Sequence, residues 1–297
     1  MKENSLKSQK KTRYSQNIND SKLINKGIFL DKNYIKEEPR KEKFHKFIKD
    51  LICPKFKLNS FTFLIIINNT IIFIITIIYS GIEKDSFLQP KANTLILFGA
   101  LSGKKLKENI ILNLYRWIMN SFLHGNFIHL FYNIIGIFTF GSYTENLLKT
   151  KYYTLIYLLS GFIGSLFSVL IDSESISVGA SISVYGIFGS YFGNCIIKWK
   201  EFDRKFGHIG KFFMTYVLFI FVIISLLLQL PICGGDIQIN FWGHLGGFLS
   251  GILLTVTIIK PKIERDSFIC NYKIWYAFAF SFLGSFFIVG ILVFYLF

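Results

Sequence analysis

Residues 177–195 read SVGASISVYGIFGSYFGNC, a run in which serines and glycines are interleaved with large apolar side chains. Gly179, Ala180, Ser183, Gly186, Ser190 and Gly193 recur at three- and four-residue spacings, which lays small side chains along one side of a helix. Such a strip lets helix backbones approach closely inside a membrane, where close packing holds helices together. The same run puts Ser181 one helical turn before Tyr185. The run alone leaves two readings open: small residues that pack, or a serine that reacts.

The rest of the chain supplies the membrane. It has 297 residues, 52% hydrophobic and 18% aromatic, with mean hydropathy +0.45, more apolar than a soluble domain of this length. Seven apolar runs, at about 60–80, 127–145, 153–171, 178–198, 212–231, 238–259 and 274–296, are each long enough to cross a bilayer core. The net charge of +15 comes from basic residues gathered in the first 58 residues and in short loops. That placement speaks for membrane topology and against a nucleic-acid partner. With the N-terminus in the cytosol, 27 Lys and Arg fall on the cytosolic side and 6, all between Lys84 and Arg116, on the other. The positive-inside bias predicts a basic cytosolic tail over 1–58 without fixed structure, a six-helix core over 59–260, and a cytosolic loop with a seventh helix over 261–297. No cleavable leader is legible in the tail, so the first run is expected to act as a signal anchor. Four scattered cysteines give neither a disulfide framework nor a zinc site.

Polar side chains inside spans are costly and call for a partner or a purpose. The second run carries His129 and Asn133, four residues apart on one helix face; the fourth carries Ser181; the sixth carries His244. All three runs enter from the outer side, so at about 1.5 Å per residue these four residues fall within roughly the outer 10 Å. A serine hydroxyl becomes a nucleophile when a neighbouring histidine takes its proton. An oxyanion needs donors, which His129, the Asn133 amide and the Ser181 backbone N–H provide. No carboxylate lies at this depth, so the pattern is a Ser–His dyad, with Tyr185 expected to stack on His244 in place of an acid. His124 is expected to tie down the apolar first outer loop (81–126) by hydrogen bonding. Glu145 reads as a structural residue closing the second span. No H-E-x-x-H occurs, and neither metal nor cofactor is expected.

At these residues the chain resembles the rhomboid intramembrane serine proteases. The resemblance runs from about 60 to 260 and rests on YRW (115–117), HGNFIHLFYN (124–133), Glu145, GASISVYG (179–186) and GHLGGFLSG (243–251). It implies an all-α polytopic bundle of six core transmembrane helices, with Ser181 as nucleophile, His244 as general base, and His129 and Asn133 at the oxyanion. Tyr185, Gly179, Gly247, Gly251, His124, Arg116 and Glu145 support them. The span after His244 is similar to the six-plus-one layout of eukaryotic secretory-pathway members, and the Lys-, Asn- and Ile-rich composition fits an apicomplexan source. Mitochondrial and plastid membranes stay open beside the secretory pathway. Three positions depart from the family's pattern: Ile182 stands where a glycine is usual, Tyr115 replaces a tryptophan, and Gly243 replaces an alanine. A bulky Ile182 is expected to narrow the site. The implied activity is cleavage of single-span membrane proteins, met in the lipid bilayer, near the outer end of their helix. The rival reading is an inactive rhomboid-like protein that binds membrane clients for trafficking or degradation. A transporter would need polar residues through the whole depth.

Overall fold

In a computed structural model the described residues are 49, 56–82, 87–212, 215–216, 218–227, 240–259 and 271–296, all within one compact unit, Arg40–Phe297. The expected basic tail lies almost entirely outside them.

Helix α1 (Phe61–Ser80) opens on Ser60, whose hydroxyl accepts from Phe63 N–H, and stops at Gly81, where φ is 67°. The chain then runs through short helices, among them Arg116–Met119, and a strand, β1 (Leu101–Ser102), to α2 (Phe127–Gly136). After α2 a π turn (Ile137–Gly141) widens the helix, and α3 (Ser142–Leu148) continues it. The second span therefore reaches past Glu145, three residues beyond the expected end. Lys149, with φ 73°, breaks the helix and starts α4 (Thr150–Ile171). A short strand, β2 (Ile176–Ser177), pairs antiparallel with β1, so the first outer loop is stitched to the segment ahead of Ser181. Then follow α5 (Ser181–Ile197), the kinked Trp199–Phe212 helix, α6 (Leu218–Leu227), α7 (Phe241–Ile258) and α8 (Tyr272–Leu296). Four described helices, α1, α4, α7 and α8, are long and apolar enough to cross a membrane.

Helix α5 has 17 residues, about 25 Å of rise, and is the centre of the bundle. Fourteen of its residues are buried, whereas α1 and α8 turn most of their surface outward. Glycine makes this burial possible. A Cβ on Gly251 of α7 would strike the Gly186 carbonyl, one on Gly189 the Phe248 carbonyl, and one on Gly186 the Ser160 hydroxyl of α4. Backbones of α4, α5 and α7 thus meet almost directly, and Thr255 Oγ1 donates to Ser190 Oγ at 2.8 Å across the α5–α7 seam. The small-residue strip packs as its spacing predicts. Helix α8 closes on the outside: the Tyr272 hydroxyl donates to the Val256 and Ile259 carbonyls at the end of α7, and Gly290 rests on Leu166 and Leu170 of α4.

Candidate active site

The strand-to-helix junction ahead of α5 sets the serine. Gly179 sits at φ 129°, a conformation that L side chains rarely adopt, and its N–H donates to the Asn120 carbonyl at 2.8 Å. A Cβ there would lie 2.7–2.8 Å from the His129 ring and 3.4 Å from Ser181 Oγ. Glycine thus keeps open the space between that ring and the hydroxyl. Ser181 is the first residue of α5, and no side chain caps this helix end. Its first intrahelical bond runs from Val184 N–H to Ala180 O, which leaves the N–H groups of Ser181, Ile182 and Ser183 outside the helical ladder.

His244 comes from the first turn of α7 and is 5% exposed. Its Nε2 lies 2.6 Å from Ser181 Oγ. Tyr185 stacks on the imidazole with centroids 4.5 Å apart and planes 18° apart, as its one-turn spacing from Ser181 predicts. The Tyr185 hydroxyl is in turn 2.9 Å from Ser225 Oγ on α6. The His244 imidazole is held between a hydroxyl and a ring that is itself pinned at the far edge.

The other expected residues fall into three groups. His129 lies beside Gly179, near enough to face the space in front of Ser181. Asn133 is buried on the same helix, and one of its amide N–H groups goes to the His129 carbonyl at 3.1 Å. Its second N–H is not needed by that bond. Gly247 and Gly251 lie where α7 touches α5: a Cβ on Gly247 would meet the Ile182 carbonyl. Arg116, 6% exposed, braces the first outer loop by donating to Ile96 O at 2.7 Å, Ala100 O at 3.0 Å and Asn113 Oδ1 at 2.6 Å. Tyr115 packs against that guanidinium. Glu145, at the opposite end of the bundle, accepts from Phe61 N–H, Thr62 N–H, Thr62 Oγ1 and Thr150 Oγ1.

Two expectations need correction. His124 does not tie the loop down by hydrogen bonds: neither ring nitrogen makes one of ordinary geometry, and the ring packs edge-on against His129 at 5.2 Å. Burial pushes its pKa down to about 3, with His129 adding to the effect and the Phe122 backbone opposing it, so the ring is neutral. Ile182 does not narrow the space around Ser181. It is 1% exposed and points away, wedged against Gly164 of α4 and Gly247 of α7, whose missing Cβ atoms make room for it.

Asn240, Ser168, Ser177 and Ser225 were not singled out by sequence. Asn240 is the N-cap of α7, and an asparagine before an apolar run is a start signal. Placing the sixth span from 238 hid it inside the helix. Nothing in the sequence relates Ser225 to Tyr185.

Fold and site together define a class: an all-α, multi-pass membrane protein in which a serine and a histidine from neighbouring helices share a hydrogen bond near one end of the bundle. Residues 112–261, half of the chain, match the Rhomboid domain, and the chain belongs to the Rhomboid family. Among its relatives, RHOMBOID-like protein 6, mitochondrial, of Arabidopsis thaliana is 30% identical over 64% of this chain and 58% of its own length. Rhomboid-like protease 1 of Toxoplasma gondii is 28% identical over 77% of this chain and 72% of its own. Inactive RHOMBOID-like protein 8 of Arabidopsis thaliana is 29% identical over 63% of this chain and 50% of its own. The chain spans little more than half the length of the Arabidopsis relatives it matches.

Proposed function

We propose that the chain is an intramembrane serine endopeptidase that works through a Ser181–His244 dyad. The observation carrying this reading is the 2.6 Å contact of Ser181 Oγ with His244 Nε2 under a stacked Tyr185. With Nε2 unprotonated, it takes the hydroxyl proton as Oγ attacks the substrate carbonyl. The tetrahedral oxyanion accepts from the Ser181 backbone N–H, the His129 ring and the second Asn133 N–H. His244 then returns the proton to the leaving amine, the C–N bond breaks, and an acyl-Ser181 ester remains. Water gives its proton to His244 and attacks the ester, which frees the new carboxylate and restores the serine. The substrate is a single-span membrane protein whose helix unwinds near its outer end, at small or helix-breaking residues, to present the scissile amide.

The charge asymmetry supports an N-terminus in the cytosol and the dyad near the opposite face; a secretory-pathway or plasma membrane goes with that reading, with a mitochondrial or plastid membrane as the alternative. The domain order that goes with it is a basic tail (1–58), the six-helix catalytic core (59–260), then a cytosolic loop and seventh helix (261–297). A relative named inactive shows that family membership does not by itself confer activity. The test is co-expression of a tagged single-span substrate with the wild type, Ser181→Ala, His244→Ala and, as control, Ser183→Ala. Cleavage is expected from the wild type and the control only. Cleavage surviving Ser181→Ala overturns the mechanism, and a silent wild type leaves the client-binding reading in its place.

A further inference from the structure

The helix that carries the base begins at Asn240, and this side chain reaches beyond its own cap. Its Oδ1 accepts from Gly243 N–H at 2.7 Å and from the Ser168 hydroxyl of α4 at 2.7 Å. Its Nδ2 donates to the Ser177 hydroxyl at 2.7 Å, in β2, four residues ahead of Ser181. The amide cannot be turned over, because Gly243 N–H only donates and so demands the oxygen. One side chain therefore joins the first turn of α7 to α4 and to the strand that delivers the nucleophile.

Gly243 is part of the same arrangement. A Cβ at this position would lie 2.7–2.8 Å from Asn240 Nδ2, Cγ and Oδ1, closer than unbonded carbon comes to such atoms. The glycine leaves room for the asparagine to fold over the turn, and His244 follows directly. The direction of that turn decides where the imidazole meets Ser181, and a misplacement of about 1 Å at a reacting pair costs on the order of a hundredfold in rate.

We infer that Asn240 is a positioning residue for the Ser181–His244 pair and that Gly243 is present to accommodate it. This rests on the protease reading above. The Asn240 side chain hydrogen-bonds neither the Ser181 hydroxyl nor the His244 imidazole, so its loss should act on turnover and spare substrate binding. Asn240→Ala is expected to lower kcat about tenfold or more with KM within about twofold. Asn240→Asp keeps the acceptor for Gly243 and Ser168 and offers its second oxygen to the Ser177 hydroxyl, which then donates; most of the rate returns.

The experiment uses the full chain in phosphatidylcholine vesicles with a fluorogenic single-span peptide, and measures kcat, KM and thermal midpoint. The variants are Asn240→Ala, Asn240→Asp, Gly243→Ala and the Asn240→Ala/Gly243→Ala double. Gly243→Ala is expected to lower kcat and midpoint in the wild-type background and to change little once Asn240 is alanine. Wild-type kcat in Asn240→Ala, or additive effects of the two alanines, overturns the proposal. No cleavage by the wild type strikes the protease reading instead, and the midpoints still report whether Asn240 and Gly243 are coupled.

Discussion

Two of the polar clusters among the described residues, one near each end of the bundle, differ in how completely they are satisfied. At Glu145 each carboxylate oxygen takes two donors: Oε1 from Phe61 N–H and Thr150 Oγ1, Oε2 from Thr62 N–H and Oγ1. The acid supplies to α1 the acceptors that the first N–H groups of a helix lack, and ties α1, α3 and α4 at one point. At Ser181 the arrangement is sparse: a hydroxyl on an imidazole, a helix end without a capping side chain, and a glycine that keeps the space beside them open. Saturation makes an anchor, because every donor has settled on an acceptor. Reserve is what a reactive site needs, because donors must stay available for charge that appears only during a reaction.

Substitutions can break this comparison. The largest effect is expected from Ser181→Ala, which should reduce cleavage of a membrane substrate by at least about a thousandfold. Its thermal midpoint should stay near that of the wild type, since only a hydroxyl is lost; a large drop in midpoint would make Ser181 an anchor as well. Glu145→Ala should do the reverse. It orphans two backbone N–H groups and costs about 2–4 kcal/mol of stability, read as a lowered unfolding midpoint in detergent, while folded molecules keep kcat within a few-fold. Ile182→Val trims the wedge between Gly164 and Gly247 and should cost about 0.5–1.5 kcal/mol, with KM unchanged because the side chain faces away from Ser181. The smallest effect is expected from Tyr185→Phe, which keeps the ring on His244 and gives up the Ser225 contact. It should lose about 1 kcal/mol or less and a few-fold in kcat. A total loss of activity there would move the role of Tyr185 from its ring to its hydroxyl.

How much of this was legible in the sequence follows from the range of each interaction. Seven apolar runs give the helices because hydropathy is a property of single segments. Ser181, Tyr185, His129 and Asn133 could be placed because helical periodicity fixes who shares a face within one span. The meeting of His244 with Ser181 was expected from counting residues in from each span's edge. The failures all concern contacts between elements. Ile182 was read by its bulk, but the glycines that receive it come from α4 and α7. His124 was assigned a hydrogen bond from its residue type, whereas its neighbour in space is another ring. The links of Asn240 to Ser168 and Ser177 cross more than sixty residues of chain, which no local pattern records.

The contact of α8 with the first outer loop bears on the order in which the protein is made. Phe294 packs with Leu106 and Trp117, and Lys107 sits over its ring. Leu101 of β1 belongs to the same cluster and pairs with Ser177 ahead of Ser181. A ribosome delivers that loop early and α8 only after the other spans have been handed to the membrane. The contact that α8 makes with this loop therefore joins segments made early and late, on either side of Ser181 and His244 in the chain.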